Sequence, residues 1–262
     1  MKQIKMKYHF DKKEHFHFLD DKPLTGTSSV GDVLAKNLVW WAAELAAVEC
    51  LEAGEKIPTI REEYLVAAAS KDKKKAIDEL QKKYPLFKKE RFAHFEKKNQ
   101  TAKTGTDLHL LLQRFIQTKM GFNPMRADYD EKIKPFIEWA EKEVKSFLYS
   151  EAHCFDEELW VGGISDAGGE LNDVNTSIID FKSAKEAYPN HFIQAGGYAI
   201  QIDKNGLWDC EGKVNKKVKP ISALIVIPFG AEKIEPVIKY DVDMYKNGFK
   251  AAVELYRLIN NN

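Results

Sequence analysis

The sequence predicts a mixed α/β protein: a helical N-terminal half, then a mixed β-sheet flanked by helices. Three observations predict it. Apolar residues recur at helical spacing through most of the first 146 positions. From about Tyr149 the period falls towards two. Two short apolar strands then lead into an amphipathic C-terminal stretch, "DMYKNGFKAAVELYRLI". The chain reads as one domain over 1–262, with an N-terminal hairpin (1–25), a mainly helical region (26–146), and a sheet with flanking helices (147–262).

Each element has its own signal. "YHFDKKEHFHFLDD" alternates aromatic and polar residues around a charged turn and reads as a β-hairpin, with His15 and His17 as exposed histidines on one edge-strand face. In "TGTSSVGDVLAKNLVWWAAELAAVECLEAG", Thr27 or Ser28 can cap a helix that Gly54 stops, with Trp40 and Trp41 as core and rim. Residues 58–103 read as short helices carrying three lysine-rich runs, "KDKKK", "FKKERF" and "FEKKNQ". "TGTDLHLLLQRFI" opens another helix, capped by Thr104 or Thr106, with Leu108, Leu112 and Phe115 on one stripe. "DEKIKPFIEWAEKEVKSF" is a charged helix. "SEAHCFDEELWVGGISDAGGEL" and "TSIIDFKS" read as strands joined by turns containing Gly and Asn. "PNHFIQAGGYAIQI" reads as a helix despite its two glycines. "ISALIVIPF" and "IEPVIKY" are two further strands.

Composition limits the function classes. The 262 residues are 44% hydrophobic and 31% charged, enough to bury a substantial core. Forty Lys and Arg balance forty Asp and Glu, so a dominating basic surface is excluded and nucleic-acid contact must come from local patches. Cys50, Cys154 and Cys210 form no CxxC pair. This argues against a zinc site or a four-cysteine iron–sulfur cluster and points to a reducing compartment. No apolar run approaches ~20 residues and the N-terminus lacks a signal-peptide core. The expectation is a soluble cytoplasmic protein with no membrane partner.

The chemistry concentrates in "SIIDFKSAK". Along a strand, Asp180 and Lys182 point to one face while Ile179 and Phe181 point to the other. Asp166 ends an apolar strand fourteen positions earlier. Two short paired strands would bring the carboxylates to neighbouring strand ends. There they repel unless a cation lies between them, and magnesium or manganese is the natural one. Lys182 would then attend a metal-bound water or a phosphate.

"GGISDAGGE", the fourteen-residue gap and "IIDFKSAK" resemble the PD-(D/E)XK nuclease superfamily, Asp166 matching its first acidic motif and Asp180 with Lys182 its (D/E)XK motif. "GTDLH" and "QAGGY" narrow the resemblance to the RecB-type exonuclease branch. They supply a helical His109 and the pair Gln194 and Tyr198, which lie at i and i+4 on one helix face. "TGTSSVGDVLAKNLVWWAAE" is similar to phage and prophage exonucleases of this type. The resemblance runs from about Thr25 to Ile202, and departs from the family at Ser165, where Pro is usual, and at Asp180, where Glu is frequent.

The resemblance implies a restriction-endonuclease-like core and no iron–sulfur cluster. It implies one or two Mg2+ or Mn2+ ions held by His109, Asp166, Asp180 and the Phe181 backbone carbonyl, with Glu151 as a further acidic residue near the metals. Lys182 would position the attacking water, and Gln194 and Tyr198 would orient that lysine or a DNA phosphate. Ser183 and Lys185 are candidate phosphate contacts. The implied activity is hydrolysis of linear duplex or single-stranded DNA by an exonuclease, in phage-type recombination or DNA processing, with a recombinase or single-strand annealing protein as partner. A structure-specific endonuclease and a catalytically silent DNA-binding module of the same fold are the alternatives. A lysine Schiff-base enzyme and a mononucleotide or sugar phosphohydrolase are more distant ones.

Overall fold

The computed structural model describes residues 7–34, 62–63, 65–67, 69–70, 72–83, 107–122, 131–230 and 233–260. Where the sequence reads as one domain, the chain divides into two compact units, Met1–Ala35 with Gly105–Asn262, and Lys36–Thr104. In the second unit, Lys73–Lys83 form a helix in which Leu80 is buried, and Lys83 pairs with Glu63 at 2.8 Å. Trp40, Trp41, the runs "FKKERF" and "FEKKNQ", the Gly54 stop, and the candidate caps Thr104 and Thr106 lie outside the described residues.

The first unit begins with strands β1 (Tyr8–Asp11), β2 (Phe16–Leu19) and β3 (Lys22–Pro23), an antiparallel sheet that contains the predicted hairpin. β4 (Thr25–Gly26) and a short helix α1 (Thr27–Asp32) follow. Next come helix α2 (107–119) and helix α3 (Lys134–Glu143). The long strands β5 (Val144–Asp156) and β6 (Val161–Leu171) lead to β7 (Ser177–Lys182) and helix α4 (Pro189–Asn205). Strands β8 (Leu207–Trp208), β9 (Val214–Lys216), β10 (Ala223–Pro228) and β11 (Val237–Lys239) precede the closing helix α5 (Val242–Asn260). Among the described residues, no helix is long and apolar enough to cross a membrane.

The main sheet runs β11-β10-β7-β6-β5-β8-β9, with β4 also paired to β6. β7 and β10 are parallel and the other neighbours on this path are antiparallel, so the sheet is mixed. A parallel pair needs a crossover, and α4 lies in that connection. Alternation along β7 and β10 sorts the two faces. Ile179, Phe181, Ile225 and Ile227 pack with Leu108, Leu112 and Phe115 of α2 and Phe136 of α3. Ile178, Leu224 and Val226 pack with Ala195, Tyr198, Ala199 and Ile202 of α4. The result is helices on both sides of one sheet, the arrangement the hydrophobic pattern foretells.

Several local expectations are corrected. The charged helix ends at Glu143, and "VKSF" already belongs to β5, because Val144 and Phe147 alternate onto the core. β8 and β9 were not expected; they are too short to show a period. α1 has Gly26 as its N-cap with no side-chain cap. Thr27 is instead buried, its hydroxyl oxygen accepting a hydrogen bond from Gln201 Nε2 at 2.8 Å. His17 is buried rather than exposed, and the Tyr8 hydroxyl lies 2.7 Å from its Nδ1. His15 is exposed in the turn, with φ 59°.

The two glycines of α4 have a packing reason. A Cβ on Gly196 would stand 2.5 Å from the Tyr245 carbonyl carbon, and one on Gly197 2.5 Å from the Phe249 ring. Both neighbours belong to α5, so the helix tolerates its glycines because they let α5 approach. Gly196→Ala should therefore destabilise the protein by about 2 kcal/mol or more, since backbone rather than a movable side chain must yield. Gly248→Ala on α5 meets only the Ile193 side chain at 3.3 Å and should be close to neutral. Thermal melts of both variants check this, and equal melting temperatures would refute the close approach.

Candidate active site

The site lies where the sheet opens. β5 pairs with one edge of β6 from Val161 to Leu171. The other edge is shared: β4 pairs at Val161 and Gly162, and β7 pairs at Ala167, Gly168 and Gly169. Between them, residues 163–166 face a gap. β7 stays beside β10 as far as Lys182 but pairs with β6 only through Ile179. Its carboxyl end, bearing Asp180 and Lys182, thus leaves β6 at the gap. In open α/β sheets such strand ends are where ligands bind.

Asp166 fills part of the gap. Its Oδ2 accepts a hydrogen bond from the Phe181 backbone N–H at 2.8 Å, replacing the ladder bond β6 no longer supplies. The sequence reading set Asp166 at a strand end; it lies in the middle of the eleven-residue β6, and what ends there is the pairing with β7. The strand also turns over at this residue. Ser165 meets the Tyr149 hydroxyl at 2.8 Å in the core beneath α4, whereas Ala167 belongs to the core beneath α2. In a regular strand the two would share a face. On β5 the matching irregularity is Glu151, with φ 51°, bracketed by the pairs Ser150↔Ala167 and Ala152↔Ser165.

Asp180 is 2% exposed. Lys182 Nζ donates to its Oδ1 at 3.1 Å and to Gln194 Oε1 at 3.0 Å, and Gln194 Nε2 donates to the Tyr198 hydroxyl at 2.9 Å. Asp180 Oδ2 lies 2.9 Å from the same ammonium. Lys182 supplies a cation beside Asp180, which relieves part of the carboxylate repulsion that the sequence reading expected. Burial raises the Asp180 pKa, Lys182 pulls it back, and Asp166 pushes it up. Burial lowers the Lys182 pKa, but Asp180 and Asp166 outweigh it, so the amine stays protonated. Burial keeps the Tyr198 phenol far above its ordinary range.

On the opposite face, His109 Nε2 is 3.1 Å from the Phe181 carbonyl oxygen and its Nδ1 is 3.7 Å from Asp166 Oδ1. Glu151 Oε2 accepts from Gln113 Nε2 at 2.8 Å, one helical turn beyond His109. The predicted residues thus come together in two linked sets, Asp180–Lys182–Gln194–Tyr198 and Asp166–Phe181–His109, with Glu151 beside Asp166 in register. Ser183 and Lys185 follow the strand and are exposed. Gln113 and His191 were not anticipated from the sequence; each lies one turn from a motif residue, His109 and Gln194, and that spacing was the available signal.

Among the described residues, no three His, Cys, Asp or Glu side chains stand together as a metal-ligand cluster. Asp180 is turned to Lys182, so the expected ligands are not gathered as one set. The donors still suit a hard divalent cation. Asp180 Oδ2 is a buried carboxylate oxygen that faces the Lys182 ammonium at 2.9 Å, a hard oxygen donor of the kind such an ion prefers.

The pair is asymmetric, and stability should show it. Lys182→Met leaves a nearly inaccessible carboxylate without its cation, at a cost of about 3–5 kcal/mol. Asp180→Asn should cost less, because the Lys182 side chain keeps a fifth of its surface and retains Gln194. In Lys182→Met the folded-state pKa of Asp180 lies above its unfolded value. Stability from the retained proton is present at low pH and is lost as pH rises through the folded pKa. The deficit relative to wild type should therefore grow as pH rises from the ordinary carboxylate range through the raised folded-state pKa, as thermal melts in chelator would show.

No protein-family model matches the chain, and no curated protein matches it.

Proposed function

We propose that the protein is a metal-dependent deoxyribonuclease acting on linear DNA, an exonuclease of the RecB type in the PD-(D/E)XK superfamily, used in phage-type recombination or DNA processing. The observation that carries the reading is the pair of linked sets at the gap beside β6, Asp180–Lys182–Gln194–Tyr198 on one face and Asp166–Phe181–His109 on the other. A structural ion pair alone would not need the second carboxylate, Asp166, beside it.

Asp166, Asp180, the Phe181 carbonyl and His109 would hold magnesium or manganese, with Glu151 close by. When bound, the ion supplies Lewis acidity to the scissile phosphate and lowers the pKa of its water. Lys182 is protonated, so it acts as a donor, placing the attacking water or meeting charge on the phosphate, and not as a base. Gln194 fixes that ammonium, and Tyr198 fixes the Gln194 amide. The bond from Phe181 N–H holds the Asp166 carboxylate in one orientation.

Incubation with linear and covalently closed circular duplex DNA, with and without magnesium, tests the reading. Linear DNA should be degraded only with magnesium while closed circles survive. Rapid nicking of circles would make the protein an endonuclease, and no cleavage of either form would end the nuclease reading. Lys182→Met should cleave linear DNA at least ~100-fold more slowly, a usual loss for a group acting in the transition state. Near-normal cleavage would remove Lys182 from the chemistry.

A further inference from the structure

Helix α4 carries a third polar side chain one turn before Gln194. His191 and Gln194 stand at i and i+3, and Gln194 and Tyr198 at i and i+4, so the three line one face. The Tyr188 backbone N–H donates to His191 Nδ1 at 3.2 Å, closing the start of the helix. A ring nitrogen that accepts a hydrogen bond carries no proton, so the neutral imidazole holds its hydrogen on Nε2. Burial and the Lys182 charge bring its pKa down to about 4 against a smaller opposing pull from Asp180, so the ring is neutral at ordinary pH. Its place one turn before Gln194, whose Oε1 accepts from Lys182 at 3.0 Å, sets it on the helix face that carries the contact to that pair. Among the described residues, Nε2 has no hydrogen-bond partner, and the ring is only half-buried.

We propose that His191 contacts the substrate, its Nε2–H donating to a phosphate oxygen of the DNA strand held at the Asp180–Lys182 end of the sheet. The inference rests on the nuclease reading and adds a phosphate-binding residue to it. A neutral donor suits the place. A second cation would be repelled by Lys182, and a carboxylate would repel the phosphate. The competing account is that His191 only caps the helix, which needs Nδ1 and not Nε2.

Replacing His191 with the histidine methylated on Nε2 separates the two, because it keeps the cap and removes the donor. The readouts are the melting temperature and the anisotropy of a labelled duplex of about twenty base pairs, with calcium as an oxygen-seeking divalent ion in place of magnesium. The methylated protein should melt as wild type does and bind about 10-fold more weakly, the loss of one hydrogen bond to a charged group. His191→Ala should lose affinity and melting temperature together. Wild-type affinity in the methylated protein would make His191 a cap alone and overturn the inference while leaving the nuclease reading intact. Failure of the wild-type protein to bind DNA at all would remove both.

Discussion

A carboxylate buried at the end of a parallel strand is the constraint to which much of this fold answers. Asp180 lies in a strand that is buried from Ser177 to Phe181, and it can stay charged only beside a cation and hydrogen-bond donors. Lys182 meets that need from the same strand and the same face. An ammonium so placed needs a second acceptor, which Gln194 provides, and Gln194 in turn is held by Tyr198. For α4 to bring those side chains down, it must lie close to the sheet. Gly163 on β6 permits this, since a Cβ there would stand 2.7 Å from the Tyr198 ring. Gly196 and Gly197 open the other side of α4 to α5. The helix glycines, weak on propensity alone, follow from the burial of one charge.

The gap in the sheet follows from the same region of β6. A continuous β6–β7 ladder would pair Phe181 N–H with backbone and leave Asp166 no role beyond its place in the strand. Instead the ladder stops, and the Asp166 carboxylate takes the amide. The turnover of the strand between Ser165 and Ala167 lets one residue face neither core fully. Glu151 adopts a left-handed conformation at the matching point of β5, where a side chain with a Cβ is disfavoured. Backbone held in such a state is paid for by the surrounding fold, and it gathers where geometry matters more than stability. Its carboxylate is taken up by Gln113 on the helix that carries His109.

The sequence made the layers legible, because strands buried on both faces and helices with one apolar stripe carry unmistakable periods. β7, β10, α4 and α5 lie where periodicity puts them. The motif residues were legible as well, since Asp180, Lys182, Gln194 and Tyr198 act through short spacings within one strand and one helix. What periodicity does not carry is where pairing stops. The length of β6 and the end of its ladder depend on β4, which lies more than 130 residues earlier in the chain. The entry into β5 at Val144 was hidden because "EVKSF" fits helix and strand alike. His17 looked exposed because alternation marks a face without saying what covers it. The cover is Tyr8 from the neighbouring strand and His153 from β5, whose ring lies 5.8 Å away.

Lys182 has two partners of different kinds, and the difference matters in the nuclease reading. Asp180 offers charge and Gln194 offers only a dipole. In that reading a divalent ion held by Asp180 would take over the neutralising role, and the ammonium would gain less from the carboxylate. Gln194 then remains the acceptor that holds the amine near the strand end. A neutral amide fits that task better than a carboxylate would. A second negative group there would hold Lys182 too firmly to serve a phosphate and would bid for the ion itself. The hydrogen bond from Gln194 to Tyr198 keeps the amide oxygen turned to the lysine, so the phenol acts through orientation while its own proton stays in place. His191, one turn earlier and neutral, continues the same pattern: this face of α4 presents dipoles and leaves the charges to the sheet.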